Sequence, residues 1–184
     1  MIHFQIRHIP EVSSTNTFVL EEARQGAAEG LVVHTDFQTE GRGKPGNTWV
    51  SPKGKNLLFS ALLRPPLRPD QAPLLTQIAC RSVAKTLKEK YAIESEFKRP
   101  NDLMVGPRKI CGTLVEAIST PHKLEAVVVG IGLNVNADAA ELPDGAVSMT
   151  MLTGETYSRE AILEEILEEL SDRIEELYKT GTIK

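Results

Sequence analysis

The chain has 184 residues, 41% hydrophobic and 25% charged, and its net charge of -4 at pH 7 provides no general attraction to nucleic acid. This length suits one domain with a sizeable core, and no apolar run reaches about 18 residues, so no membrane contact is expected. Cys80 and Cys111 form no C-x-x-C pair. We therefore expect reduced thiols in a cytoplasmic protein and no structural metal.

Hydrophobic spacing predicts three helices and six strands. In chain order they are a strand at 4–9, a helix from 15 to about 26, strands at 31–38 and 56–63, a helix at 73–91, strands at 93–98, 108–117 and 123–130, and a helix at 158–178. Several strands follow one another without an intervening helix. The fold class predicted is therefore α+β, with a mixed or largely antiparallel sheet packed against helices.

The segment 38–52 reads Gln-Thr-Glu-Gly-Arg-Gly-Lys-Pro-Gly-Asn-Thr-Trp-Val-Ser-Pro. Glycines let backbone N–H groups approach a phosphate, and Arg42 and Lys44 add positive charge. Its Gly-x-Gly-x-x-Gly spacing matches a dinucleotide fingerprint, but prolines and β-branched residues stand where the required helix would run. The segment is therefore predicted to be an anion-binding loop between strands, with an ordinary Gly- and Pro-rich surface loop as the alternative.

Three later clusters combine polar residues with turns or strand glycines. Residues 98–103 read Lys-Arg-Pro-Asn-Asp-Leu, residues 108–116 carry Lys109 beside Gly112, and residues 127–136 run from a buried strand into glycines and two asparagines. A glycine within a strand is typical of a place where a ligand approaches the backbone. Taken singly, each cluster can also be explained by turn chemistry or packing, without any functional role.

In this order the motifs resemble the catalytic domain of biotin protein ligases, the biotin–[acetyl-CoA-carboxylase] ligase family. That family's pattern is Ser-Thr-Asn, Gly-Arg-Gly-Arg-x-Gly-Arg-x-Trp-x-Ser-Pro, Lys-Trp-Pro-Asn-Asp, Lys-x-x-Gly-Ile-Leu-x-Glu and Gly-x-Gly-x-Asn. The corresponding segments here are 14–16, 41–52, 98–102, 109–116 and 130–134. The resemblance implies a class II aminoacyl-tRNA synthetase-like biotin/lipoate ligase fold. It also implies activation of biotin with ATP and Mg²⁺ to biotinyl-5′-AMP, and transfer to a lysine of a biotin carboxyl-carrier protein domain.

The resemblance also implies roles for individual residues. The biotin site would comprise Ser14, Thr15, Asn16, Gln38, Gly41, Arg42, Gly43, Lys44, Lys109 and Gly112. The ATP and adenylate site would comprise Arg42, Lys44, Trp49, Asn101, Asp102 and Asn134, with Asp102 as a Mg²⁺ ligand. Lys109 and Arg42 would be catalytic, neutralising charge as the acyl phosphate forms. Simpler interpretations stay open: Ser14 as a helix cap, Cys111 as packing and Glu116 as an ordinary strand charge.

Three positions depart from the family pattern: Lys44 and Asn47 stand where it has arginines, and Arg99 replaces a tryptophan. Residues 1–184 are expected to form a single catalytic domain of the monofunctional type. We expect no helix-turn-helix domain, no small C-terminal β-barrel and no DNA partner, and a homodimer is possible. The alternatives are a lipoate or octanoate ligase or transferase, with Cys111 as the candidate nucleophile, and a non-catalytic biotin- or nucleotide-binding relative.

Overall fold

A seven-stranded mixed sheet forms the centre of the molecule, and the computed structural model describes residues 2–181. The strands are β1 Gln5–Val12, β2 Leu31–Gln38, β3 Leu57–Leu63, β4 Glu96–Lys98, β5 Asp102–Val105, β6 Arg108–Ser119 and β7 Leu124–Leu133. Their spatial order is β1-β2-β3-β7-β6-β5-β4. Only the β1 and β2 pair is parallel among the pairs of this sheet, as seen within residues 2–181.

Helices cover both faces of the sheet. They are α1 Thr15–Arg24, α2 Ala72–Tyr91, α3 Met149–Thr153 and α4 Arg159–Thr180. Successive residues of a strand point to opposite faces, and the two buried clusters follow that alternation. Val32 belongs to the larger cluster with α2 and α4, whereas Val33 belongs to a smaller cluster with α1. No helix within residues 2–181 is long and apolar enough to cross a membrane.

The two central strands provide a rigid base for the polar residues around them. Every residue of β3 is buried, and β7 is buried along most of its length. Full burial of one large aliphatic side chain contributes about 1.5–3 kcal/mol, so a strand of such residues is firmly held. Ser60 lies in the middle of β3 and pairs with Gly130 of β7. Polar groups placed on these strands therefore have fixed positions.

The α+β class and the mixed sheet predicted from the sequence are confirmed, and five element predictions need correction. The strand predicted at 4–9 is Gln5–Val12, because its pairing with β2 continues to Val12. The short strand β5 was not predicted; it pairs with β6 through a turn at Gly106, whose φ of 57° is left-handed. The short helix α3 was not predicted either. The strand predicted at 93–98 is only Glu96–Lys98. The strand predicted to end at residue 130 continues to Leu133, because its glycines stay in register with β3 and β6.

Candidate active site

One cavity lies between the start of α1, the glycine-rich loop and the glycines of β6 and β7. Most of the predicted site residues line it: Ser14, Thr15, Asn16, Gln38, Arg42, Gly43, Lys44, Trp49, Asn101, Lys109 and Gly112. Gly41, Asp102 and Asn134 lie outside this lining. The structure therefore brings together motifs that are far apart in the chain, from Ser14 to Gly132, which are 118 positions apart.

Four polar residues of the cavity wall, Ser14, Thr15, Asn16 and Gln38, together with Ser60, which hydrogen-bonds to two of them from β3, form what we call the amide end. The backbone N–H and the hydroxyl of Thr15 donate to Gln38 Oε1 at 2.8 and 3.1 Å. Ser60 Oγ lies 2.7 Å from Thr15 Oγ1 and donates to Asn16 Oδ1 at 2.6 Å. Ser14 caps α1, since its hydroxyl accepts from the backbone of that helix. These buried groups offer donors and acceptors of fixed orientation.

Gly130 is required where β7 passes behind the amide end. A Cβ atom at this position would overlap Asn16 Oδ1, because the Asn16 side chain lies directly against the strand. The carboxamide of Asn16 cannot simply rotate away, since its nitrogen donates to Leu114 O at 3.1 Å and to Glu116 Oε2 at 2.9 Å. The glycine therefore creates the space that this side chain occupies.

The glycine-rich loop, residues 41–49, forms a narrow hairpin over the cavity. Gly43 N donates to Asn47 O at 3.0 Å, Asn47 N donates to Lys44 O at 2.8 Å, and Trp49 N donates to Gly41 O at 2.9 Å. A Cβ atom at Gly41 would overlap the carbonyl oxygen of Trp49. This close approach of two backbones explains why residue 41 is a glycine.

Arg42 projects from the loop and is held by Glu116 of β6. Its two terminal nitrogens donate to the two carboxylate oxygens at 2.9 and 2.6 Å. The Arg42 side chain is 40% exposed, so this ion pair is only partly shielded from water. The Glu116 carboxylate thus has a bidentate partner 74 residues away, which the simpler interpretation as an ordinary strand charge does not predict.

Lys109 is fixed at the cavity by backbone and side-chain contacts. Its backbone N–H donates to Gly145 O at 2.8 Å and its carbonyl accepts from Val147 N at 2.9 Å. Its ammonium lies 2.7 Å from Asp102 Oδ1 and 5.3 Å from the centre of the Trp49 ring. Gly112 makes room for both side chains, since a Cβ there would lie 3.1 Å from Lys109 Nζ and 2.9 Å from Trp49 Cζ3. The ammonium is therefore oriented, unlike that of a freely moving surface lysine.

The two asparagines predicted to contact the nucleotide differ in their surroundings. Asn101 is buried and lines the cavity; its Nδ2 donates to Thr113 O, while its Oδ1 has no hydrogen-bond partner within residues 2–181. The amide of Asn134 is used inside the protein, where it accepts from Asn56 Nδ2 at 3.0 Å and donates to Val147 O at 3.2 Å. Asn101 thus offers a buried acceptor to a ligand, whereas nucleotide contact by Asn134 stays a prediction.

The donor set offers little to a resident metal ion. Across residues 2–181, no group of three or more His, Cys, Asp or Glu side chains is placed to hold one. Mg²⁺ is usually bound by one or two carboxylates together with substrate phosphates. Asp102 already faces Lys109, and Glu116 faces Arg42. The residues do not form a Mg²⁺ site of their own, and a contact from Asp102 to the metal of a bound nucleotide stays a prediction.

Cys111 lies beneath the site and does not line the cavity. It is fully buried, and burial is the main cause that raises the pKa of its thiol well above the ordinary value. A nucleophilic cysteine needs a lowered pKa and access to its substrate. The packing interpretation of Cys111 therefore agrees with the structure.

Sequence reasoning did not identify Ser60, and it named Glu116 only as the last residue of the segment 109–116 that matches the family's Lys-x-x-Gly-Ile-Leu-x-Glu motif, without a role at the site. Ser60 carried a usable signal, because a hydroxyl in the middle of the apolar run Leu57–Leu63 must find a partner when buried. For Glu116 the motif gave the residue but not its partner, because a local pattern does not show which distant cation a strand carboxylate will meet.

A cavity lined by hydroxyl and amide groups together with cations is typical of a class of proteins that bind a small anionic or phosphorylated molecule. Comparison with protein-family models gives the particular family. Residues 9–134 match the Biotin/lipoate A/B protein ligase family, and the chain belongs to that family.

Named relatives agree with this assignment. The chain is 33% identical over 160 residues to the bifunctional ligase/repressor BirA of Bacillus subtilis. This match covers 85% of this chain and 49% of that protein. It is 31% identical over 175 residues to a biotin--[acetyl-CoA-carboxylase] ligase of Mycobacterium tuberculosis, covering 92% of this chain and 64% of the relative. The chain thus spans about half the length of the BirA relatives that it matches.

A solved structure shares the fold. The biotin protein ligase from Aquifex aeolicus in complex with biotin and ATP superposes with a TM-score of 0.81 at 29% sequence identity. The match covers 96% of this chain and 72% of that chain. The seven-stranded mixed sheet packed with helices is therefore the biotin protein ligase fold.

Proposed function

We propose that this protein activates biotin with ATP to biotinyl-5′-AMP and transfers the biotinyl group to a lysine of a biotin carboxyl-carrier protein domain. The observation that carries the proposal is one cavity lined both by polar residues of the amide end and by the cations Arg42, Lys44 and Lys109. The amide end provides donors and acceptors for a ureido ring, and the cations provide charge for a carboxylate and a phosphate. The names of the relatives, and the complex of the Aquifex protein with biotin and ATP, support it.

The first step brings two anions together. The biotin carboxylate attacks the α-phosphorus of ATP, an acyl–phosphate bond forms, and the bond to the pyrophosphate leaving group breaks. Such a step requires alignment and charge neutralisation and needs no nucleophile from the protein. Lys109, oriented by Asp102 at 2.7 Å, is the cation placed to neutralise the transferring group. Arg42 and Lys44 of the loop line the same cavity and add positive charge to it.

The second step needs the adenylate to be held until an acceptor arrives. The lysine amine attacks the acyl carbonyl, AMP leaves, and the amine loses a proton. Trp49 lies over Gly112 and Gly132, where its ring can cover an adenylate. The free Oδ1 of Asn101 is suited to accept a hydrogen bond from an amino group such as that of adenine.

Further expectations go with this proposal. ATP would arrive with Mg²⁺ as part of the substrate, bound through its own phosphates. A cytoplasmic location, the lack of a DNA partner and a possible homodimer are predictions from the sequence. So are the biotin contacts of Ser14, Gln38, Gly41 and Gly43.

The alternatives differ in how the structure bears on them. An octanoyltransferase would use a cysteine nucleophile, and the complete burial of Cys111 disfavours it. A lipoate or octanoate ligase would also form an acyl-adenylate, so only the acid that is accepted distinguishes it. A non-catalytic binder is motivated by Asn47 and Arg99, which depart from the family pattern.

Pyrophosphate release tests the proposal directly. The protein is mixed with ATP, Mg²⁺ and biotin, lipoate or octanoate, and a carrier domain is then added and its mass measured. We expect pyrophosphate release with biotin and not with lipoate or octanoate. The carrier domain should then gain the mass of one biotinyl group on a lysine. Binding of biotin without pyrophosphate release would favour the non-catalytic alternative, and release with lipoate or octanoate instead of biotin would favour the other ligases.

A further inference from the structure

The carboxylate of Glu116 connects the glycine-rich loop to the amide end. Its oxygens accept from the two terminal nitrogens of Arg42 at 2.9 and 2.6 Å. One of the same oxygens accepts from Asn16 Nδ2 at 2.9 Å. Glu116 therefore contacts the loop cation and the amide end at the same time.

The two partners of Glu116 differ in their other contacts: Asn16 is anchored to the sheet, whereas Arg42 keeps donors for a ligand. Asn16 Oδ1 accepts from the hydroxyl of Ser60, which is fully buried on β3, so the carboxamide is anchored to the sheet. Arginine has five N–H donors, and Glu116 takes two of those on Arg42, which leaves three for a ligand anion. The guanidinium is thus held in one orientation without being used up.

We propose that Glu116 is a positioning residue, which holds the Arg42 guanidinium at the cavity before any ligand binds and ties its position to Asn16. The catalytic part of this inference rests on the proposed function, whereas the contact itself does not. The loop hairpin is otherwise closed by backbone hydrogen bonds within residues 41–49. Glu116 is the side chain through which the sheet orients its cation, and biotin bound at Asn16 would strengthen the same link.

Trypsin provides a chemical probe of this contact. The protease cleaves after Arg42 only when the guanidinium leaves Glu116 and enters the protease's own specificity pocket. The neighbouring Lys44 precedes Pro45 and is a poor site, so the product ending at Arg42 reports on one contact. Limited digestion of the full chain, followed by mass spectrometry, gives the rate of this cleavage.

Glu116→Gln is expected to raise that rate about fivefold, the size of effect that a partly exposed ion pair supports. Glu22→Gln is the matched control: the Glu22 side chain is 27% exposed and paired with Arg7, and that of Glu116 is 26% exposed. The control should leave cleavage after Arg42 unchanged. Glu116→Asp, which keeps the charge but shortens the side chain, should restore part of the protection at an unchanged melting temperature.

Biotin distinguishes positioning from simple bracing of the fold. Biotin alone should slow cleavage after Arg42 in the parent and lose most of that effect in Glu116→Gln. In the same variant kcat for adenylate formation should fall about fivefold, with KM for the carrier domain unchanged. Equal cleavage rates for the parent, Glu116→Gln and Glu22→Gln would overturn the proposal. A parent that releases no pyrophosphate would refute the proposed function and leave the cleavage result standing.

Discussion

The amide end and the glycine-rich loop face the same cavity but are built differently. Thr15, Asn16 and Ser60 are almost completely buried and bonded to one another, whereas the Arg42 side chain is 40% exposed and held mainly by one ion pair. Buried hydrogen bonds are costly to break because the freed groups meet no water, and exposed ion pairs contribute at most about 1 kcal/mol. The amide end is therefore formed before a ligand binds, and the order of the loop depends more on the ligand.

Lys109 lines the cavity that these two regions share, and its removal should have the largest effect. Lys109→Ala should lower adenylate formation by about 10²–10³-fold, because a positioned charge near the transferring group is lost. Pyrophosphate release is the measurement. Lys85→Ala is the matched control, since Lys85 makes a similar ion pair with Glu169 at 2.8 Å, away from the cavity. Near-normal release from Lys109→Ala would remove its assigned role.

Gly130 and Gly132 lie on one face of β7, and replacing each by alanine perturbs one of the two regions at a time. Gly130→Ala should displace Asn16 and weaken biotin binding about tenfold or more, since a buried group loses its partners. In Gly132→Ala the new Cβ would meet Trp49 Cε2 at 2.6 Å, so the ring should move and the adenylate should be released faster. Calorimetry with biotin and a chase of bound adenylate measure the two effects. Identical defects in both variants would show that the regions are not independent.

The loop should respond to restored arginines by a smaller amount. Lys44→Arg with Asn47→Arg should slow the escape of biotinyl-AMP about fivefold, because a fork of donors replaces a point charge and an amide. Hydrogen exchange at residues 41–49 should fall when biotin and ATP bind, and each ligand should raise the affinity of the other. Lys90→Arg on the far end of α2 is a control for the added guanidinium. The idea that ligands order the loop would be contradicted if biotinyl-AMP escaped at the same rate from the variant. It would also be contradicted if hydrogen exchange at residues 41–49 were the same with and without ligands.

The smallest effect concerns pH and the strand that leads to the amide end. Burial, and then the charge of His8, lower the pKa of His34 on β2 below its ordinary value of 6.5; Arg159 acts in the same direction, while Glu160 and Asp36 oppose it. In the unfolded chain the His34 imidazole is protonated near pH 6.5, whereas in the folded chain it is protonated only at lower pH. The contribution of neutral His34 to stability is therefore present above pH 6.5 and lost as the pH falls. The melting temperature should drop between pH 7.5 and 5.5 less steeply in His34→Gln.

His122→Gln, in the exposed turn between β6 and β7, is the control for this comparison. It should keep the slope of the parent. A slope in His34→Gln that equals that of the parent would assign the pH dependence to other groups.

Much of the fold could be predicted because local patterns dominate it. The apolar run of β3 and the helical spacing of α2 and α4 allow few alternatives. The strand β5 was not predicted, because its four residues begin directly after Asn101, in a segment whose composition is typical of a turn. The glycines of β7 suggested a strand end, and only the register with neighbouring strands shows that they continue it.

For the site, the sequence could locate its motifs but not their partners. Lys109 and Asn101 were chosen by resemblance, and the cavity unites them. That Asp102 orients the Lys109 ammonium, and that the Asn134 amide is satisfied by Asn56, follow from distances between strands. Such pairings depend on how the chain folds in three dimensions, so a single sequence does not contain them in a readable form.

The chain contains one tryptophan, and its ring lies in the cavity against Gly112 and Gly132 with its indole nitrogen buried and without a partner within residues 2–181. Indole fluorescence is sensitive to polarity and to nearby charges, and here no second indole contributes a background. Emission excited near the red edge of the protein absorption therefore reports on this cavity alone. The unlabelled protein is its own optical sensor for ligand arrival and departure.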